Sequence, residues 1–167
     1  MGTLRLTLLR HAHAEPLLEG AEDFVRELSP RGRAEATAQG RRLVKARLVP
    51  DLILASSAQR TRSTVQLLAA AASVVRDRIK YLDALYHASA RGIWAAAVEN
   101  AGTHSHVLVC GHNPAISQLA SQLAAGTPAL PRQIDLPPAA LLSAQWGQDN
   151  WASLALADAG AAQLLVV

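Results

Sequence analysis

Short apolar runs alternate along the chain with longer segments in which apolar residues recur every three or four positions. Residues 4–9 form the first run, broken only by Arg5 and Thr7, and read as a buried strand. Ser29-Pro30 then marks a helix start, with serine as N-cap and proline where its missing N–H is not needed. That helix is predicted to reach about residue 47, with Ala36, Gly40, Leu43 and Val44 on one face. A second strand is predicted over 51–55, closed by Ser56-Ser57, and a second helix over 59–72. A weaker third strand over 78–82 leads to a helix near 89–100, for which Ser89 is the cap. The fourth strand is expected over 105–110, and Asn113-Pro114 opens a last helix to about residue 125.

Two segments break this rhythm. Residues 12–28 are polar and irregular, with Pro16, Gly20 and several acids, and residues 127–138 hold four prolines. Beyond them, 139–146 and 151–157 read as a hairpin across residues 147–150, and 163–167 as a further edge strand. Four strand–helix alternations followed by a hairpin predict an α/β fold. The expected architecture is a three-layer α/β/α sandwich with a mostly parallel central sheet and a C-terminal hairpin, in a single domain over residues 1–167.

Composition narrows the class. Half of the 167 residues are hydrophobic but only 4% aromatic, so the core must be built from Ala, Leu and Val. No apolar stretch approaches the roughly 18–20 residues of a membrane span, and Arg5, Arg10, His11 and Glu15 interrupt any secretory pattern. Cys110 is the single cysteine, which excludes an internal disulfide and suits a reducing compartment, so a cytoplasmic location is expected. The net charge of +3 comes from scattered cations with few aromatics, which argues against a nucleic-acid partner. No long exposed apolar helix is evident, and a monomer is expected.

The chemistry lies where predicted strands end, because ligands of open α/β sheets bind beyond the C-terminal edges of the strands. Arg10-His11 follows the first strand, Ser56 to Arg60 the second, Tyr86-His87 the third, and Gly111-His112-Asn113-Pro114 the fourth. Two imidazoles and two guanidiniums on one edge make a pocket for a tetrahedral anion. Arg10 and Arg60 would neutralise and orient phosphoryl oxygens, a large part of the catalysis of such transfers. His11 is the candidate nucleophile, attacking phosphorus through one ring nitrogen while the other donates to a backbone carbonyl. His112 would donate to a phosphoryl oxygen from across the pocket. Asn113-Pro114 would cap the last helix and aim its N–H groups inward.

Leu8-Leu9-Arg10-His11-Ala12 resembles the Arg-His-Gly signature of the histidine phosphatase (phosphoglycerate mutase-like) superfamily. Leu28-Ser29-Pro30-Arg31-Gly32, the stretch from Ala55 to Thr64, and Gly111-His112-Asn113-Pro114 resemble its later motifs in family order. The small size, Leu85-Tyr86-His87-Ala88-Ser89 and Gly-His-Asn-Pro are most similar to the SixA-type phosphohistidine phosphatase branch. The resemblance implies that Arg10, His11, Arg60 and His112 form the phosphate pocket and that His11 is phosphorylated in turnover. Asn113 and His13 are further candidate substrate contacts, although His13 reads first as a surface histidine. Arg62 is expected to be a solvated charge.

Departures from the pattern carry information. Ala12 replaces glycine, Ser57 replaces proline and is expected to loosen its turn, and no carboxylate follows the third strand. Asp83, His13 and His87 are the remaining choices for a general acid, or there is none. A pocket without such an acid suits phosphohistidine, whose imidazole departs more readily than an alkoxide. The expected function is therefore hydrolysis of phosphohistidine in a protein, with no metal or organic cofactor. The alternative substrates are small phosphomonoesters or polyphosphate. Other classes are a non-catalytic phosphate-binding module and a metal-dependent hydrolase. The metal reading would use the His-x-His pairs His11/His13 and His104/His106, which are expected at opposite ends of the sheet.

Overall fold

Leucine- and valine-rich runs form the strands, and the helices between them bury opposite faces of one sheet. The structure, a computed structural model, describes residues 2–125, 130–156 and 163–166. Strand β1 (Leu4–Arg10) is followed by helix α1 (Pro30–Ala46), β2 (Leu52–Ser56), α2 (Gln59–Ala72), β3 (Ile79–Leu82), α3 (Ala90–Ala101), β4 (His106–Gly111) and α4 (Ala115–Ala124). Strands β5 (Leu141–Trp146) and β6 (Gln163–Val166) complete a sheet of order β3-β2-β4-β1-β5-β6. The first four strands are parallel neighbours, and β5 runs antiparallel to both β1 and β6.

Alternation along the strands splits the core into two layers. Leu6, Leu8, Leu54, Val107 and Val109 pack toward Ile93, Ala97, Ile116 and Leu119 of α3 and α4. Leu9, Ile53, Leu108 and Cys110 pack toward Leu43, Val65 and Leu68 of α1 and α2. The three-layer α/β/α expectation is met, with each helix within a residue or two of its predicted span.

The serines serve as predicted. Ser29 Oγ accepts the Gly32 N–H at 3.1 Å, and Ser89 Oγ accepts the Gly92 N–H at 3.1 Å. Glycine is required at two points of α1 because neighbouring backbone comes too close for a side chain. A methyl on Gly32 would overlap the His13 carbonyl, and one on Gly40 would overlap the Leu68 carbonyl of α2. Val44 does not join this face. The buried row ends at Leu43, and Val44 on its flank is 49% exposed.

The C-terminal hairpin is corrected. The segment Trp151–Ser153 forms a 3-10 turn, tied by Asn150 Oδ1 accepting the Ala152 N–H, so no second arm is hydrogen-bonded across residues 147–150. Trp151 is buried and its Nε1 donates to the His104 carbonyl at 2.7 Å, which turns the chain inward. The antiparallel partner of β5 is instead β6, the predicted edge strand. Residues 127–129, 157 and 167 of these predicted segments lie outside the described residues.

Candidate active site

Strand order brings the two histidines together. β1 and β4 are parallel neighbours with Arg10 opposite Gly111, so His11 and His112 leave the sheet side by side. The His11 N–H donates to the Gly111 carbonyl at 3.1 Å, and the two ring centroids lie 5.3 Å apart. β2 borders β4 on its other side, which sets Ser56 beside His112 and brings in Arg60 from the first turn of α2.

Hydrogen bonds define the state of each imidazole. His11 Nδ1 lies 2.8 Å from the Ala12 carbonyl, an acceptor, so Nδ1 carries the proton. Arg60 Nε donates to His11 Nε2 at 3.3 Å, and a guanidinium has only donors, so Nε2 presents its lone pair. Burial, aided by Arg60, Arg10 and Arg26, outweighs the Ala12 bond and pushes the His11 pKa down to about 4. His112 is pushed down to about 3, chiefly by burial and then by Arg60 and His11. Both rings are therefore neutral at pH 7.

His112 differs from its expected role in one respect. Arg60 donates to its Nδ1 at 3.2 Å, which makes that nitrogen an acceptor, while Nε2 meets Ser56 Oγ at 2.8 Å. A hydroxyl both gives and takes hydrogen bonds. The ring proton is therefore on Nε2 and is donated to Ser56 Oγ. The other tautomer, with Nδ1 as donor, requires Arg60 to release Nδ1 and Ser56 to turn its hydroxyl hydrogen toward Nε2.

The polar loop after β1 contributes residues that the sequence reading did not select. Its 3-10 turn Asp23–Val25 places Asp23 over Arg60, whose NH2 donates to Asp23 Oδ2 at 2.8 Å and whose NH1 donates to the Asp23 carbonyl at 2.7 Å. Tyr86 Oη donates to the same Oδ2 at 2.9 Å, and Arg26 pairs with Oδ1 at 3.0 Å. Burial works against the charged carboxylate. The Tyr86 hydroxyl and Arg60 nevertheless hold its pKa below the ordinary value. The expectation that this pocket lacks a carboxylate is thus overturned. The available signal was the acid-rich composition of residues 12–28, which does not say which acid turns inward.

Arg10, His11, His13, Asp23, Arg26, Arg60, His112 and Asn113 line one cleft of about 430 Å³. Arg10 is steadied by its NH1 donating to the Leu136 carbonyl at 2.8 Å. His13 reaches the mouth of the cleft, with Nδ1 2.8 Å from Ser29 Oγ. Asn113 lines the cleft but does not cap α4 with its side chain. Its Nδ2 donates to Asp135 Oδ1 at 2.9 Å and its Oδ1 accepts from Ser117 Oγ at 2.6 Å, so Asn113 links the start of α4 to the 130–138 loop.

Other candidates fall away from the cleft. Asp83 accepts a hydrogen bond from Ser57 Oγ, so Ser57 ties down the turn that it was expected to loosen. Arg62 is not a free surface charge, since it donates to the Ser57 carbonyl at 2.8 Å and lies 4.2 Å over the Tyr81 ring. His106 sits at the start of β4, where Thr7 Oγ1 meets its Nε2 at 2.8 Å, and His104 bonds the Ala101 carbonyl. The two His-x-His pairs are thus at opposite ends of the sheet. Among the described residues no group of three or more His, Cys, Asp or Glu is arranged to hold a metal ion.

Fold and site together define a class: an α/β protein with two neutral histidines and arginines in a cleft at the C-terminal sheet edge. The sequence model of the histidine phosphatase superfamily (branch 1) matches residues 6–86, so the chain is similar to that superfamily over its N-terminal part. A solved chain assigned as the phosphohistidine phosphatase SixA of Agrobacterium tumefaciens is 29% identical, with a TM-score of 0.72 over 84% of this chain and 90% of that one. Another assigned as SixA, from Nakamurella multipartitia, is 25% identical, with a TM-score of 0.71 over 100% of this chain and 95% of that one. A mycobacterial glucosyl-3-phosphoglycerate phosphatase shares the fold at 18% identity, with a TM-score of 0.63 and 98% of each chain covered. No curated protein matches the chain by sequence. Among the described residues no helix is long and apolar enough to cross a membrane.

Proposed function

We propose that this chain hydrolyses phosphohistidine in a protein, through a covalent phosphohistidine on His11. One observation carries the reading: an unprotonated His11 Nε2 held in the cleft between Arg60 and His112. The Nε2 lone pair attacks phosphorus in line, the substrate P–N bond breaks, and the substrate imidazole, carrying a proton on its other nitrogen, departs neutral with the bonding electron pair. Water then attacks phosphorus, the bond to Nε2 breaks, and inorganic phosphate leaves with His11 restored. Arg10 and Arg60 bind the phosphoryl oxygens, and Asn113 and His13 border them. His112 donates from Nδ1 once the phosphoryl group has drawn Arg60 off that nitrogen and Ser56 donates to Nε2, with greatest effect as charge builds in the transition state.

Asp23 supports this substrate in an indirect way. Its carboxylate is held charged by Tyr86 and Arg60, which makes it a poor proton donor, and an imidazole needs an acid less than an alkoxide does. The rival reading, hydrolysis of small phosphomonoesters, draws on the same residue, because Asp23 freed from Arg60 by substrate could take up and deliver a proton. Side-by-side rates on a phosphohistidine protein, sugar phosphates and polyphosphate separate the two. Faster turnover of the phosphohistidine protein is expected, and comparable or better rates on sugar phosphates defeat the assignment. In rapid-quench labelling an acid-labile phosphoryl group should appear on the native chain and not on His11→Ala. Near-normal turnover in that variant would overturn the covalent route.

A further inference from the structure

A second, smaller hollow of about 200 Å³ opens from the phosphate cleft at His112 and Asn113. Tyr86, His87, Ala88, Ile93 and Pro114 form its walls, and His11 is not among them. That placement matters for in-line displacement, in which the leaving atom departs on the side of phosphorus opposite the attacking His11 Nε2. The hollow shares His112 and Asn113 with the reaction site and is not bordered by the nucleophile.

Its walls select by shape and polarity. The Tyr86 ring is set before any ligand arrives: its hydroxyl is bonded to Asp23 and its ring stands perpendicular to that of Phe24, with centroids 5.1 Å apart. His87 lies 4.1 Å from the Tyr86 centroid, and His112 meets Tyr86 edge-on at 5.5 Å, so three rings border the space. Aromatic rings pair favourably in tilted and edge-on arrangements of this kind. Leu85, Ala88, Ile93, Pro114 and Ala115 offer no side-chain hydrogen bond, so a hydroxyl turned toward them would be left unpaired. The polar lining is confined to His87, His112, Asn113 and a Tyr86 hydroxyl already bonded to Asp23. Drug-sized ligands occupy roughly 300–1,000 Å³, so a hollow of 200 Å³ suits one ring and its stem.

We propose that this hollow is a leaving-group subsite for one flat aromatic ring, an imidazole when the substrate is phosphohistidine. The imidazole identity rests on the phosphohistidine reading, whereas the preference for a flat ring does not. The test is a calorimetric titration of phenylphosphonate and ethylphosphonate, two non-hydrolysable oxyanions that differ in the group the hollow would hold. The native chain should bind phenylphosphonate at least about five-fold more tightly, the scale of one aromatic contact. His87→Ala, which removes an exposed wall, and Ala88→Phe, which fills the space, should each erase most of that preference. Because His87 is exposed, its variant remains informative if Ala88→Phe does not fold. Equal affinity for the two phosphonates, no binding of either, or a preference that survives both variants overturns the subsite. Turnover of a phosphohistidine peptide by the native chain is measured in parallel. If the ring preference holds and that peptide is not cleaved, the substrate reading falls and the subsite stands.

Discussion

Asp23 holds Arg60 by two contacts, its Oδ2 accepting from NH2 at 2.8 Å and its backbone carbonyl from NH1 at 2.7 Å. Arg60 also donates Nε to His11 and NH2 to His112, so four contacts occupy a fork that has five N–H donors. A phosphoryl group that uses Arg60 must compete with Asp23 for the same hydrogens, and it meets a carboxylate of its own sign. Asp23→Asn should therefore tighten competitive inhibition by inorganic phosphate by about five-fold, in line with about 1 kcal/mol for one partly exposed charge pair. Unchanged or weaker inhibition would show that Asp23 and the anion do not share Arg60.

The same geometry makes Arg60 irreplaceable by lysine. A planar fork reaches both histidines and the carboxylate and backbone carbonyl of Asp23 from three nitrogens, while a lysine ammonium is a single point of donation. Arg60→Lys is expected to lose roughly 10²–10³-fold in kcat/KM, the range for losing a transition-state donor. A loss below ten-fold would mean that charge alone, without the fork, is sufficient.

Histidine protonation gives a direct reading of the cleft. Burial and the neighbouring arginines lower His11 to about 4 and His112 to about 3, so both rings stay neutral well below the usual histidine range. Lowering the pH through about 4 protonates His11 at Nε2 and removes the attacking lone pair. An NMR titration should leave both ring signals unmoved between pH 8 and about 5.5, where an ordinary histidine with pKa near 6.5 has largely titrated. Midpoints near 6.5 for both would contradict the buried, neutral pair.

His106 tests the same physics away from the cleft. Burial foremost, then Arg5, pushes it down to about 4, with Asp51 opposing. Between the unfolded value of 6.5 and about 4 the folded chain binds fewer protons than the unfolded one. Stability is therefore full above 6.5 and is lost as the pH falls toward 4. His106 should contribute at most about 2 kcal/mol to the decline between pH 7 and pH 5. Denaturant unfolding of His106→Gln should show a shallower decline than the native chain, and parallel curves would argue against a buried neutral His106.

Much of this protein was legible in the linear pattern because its signals are local. Alternating strand and helix periods, the caps Ser29 and Ser89, and Arg10-His11 and His112 at strand ends each need only a few neighbouring residues. Those features predicted the three-layer fold and named residues that the structure gathers in one cleft. The hairpin failed because Trp151–Ser153 is shaped by Trp151 burying its ring and bonding the distant His104, a contact that no local alternation encodes.

Asp23 was hidden for the same kind of reason. Residues 12–28 hold five acids of similar surroundings, and only the fold decides which one meets Arg60 and Tyr86. The pairing partners of Ser56, Ser57 and Arg62 were equally out of reach, since they lie on other strands and turns. By itself the sequence determined which segments fold and which strand ends carry imidazoles and guanidiniums, because hydrophobic periodicity and capping act within a few residues. The order β2-β4-β1 was left to the tertiary structure, and with it the contact between two histidines a hundred residues apart and the acid that guards their arginine. Strand pairing and loop closure are non-local choices, made by the packing of the whole sheet.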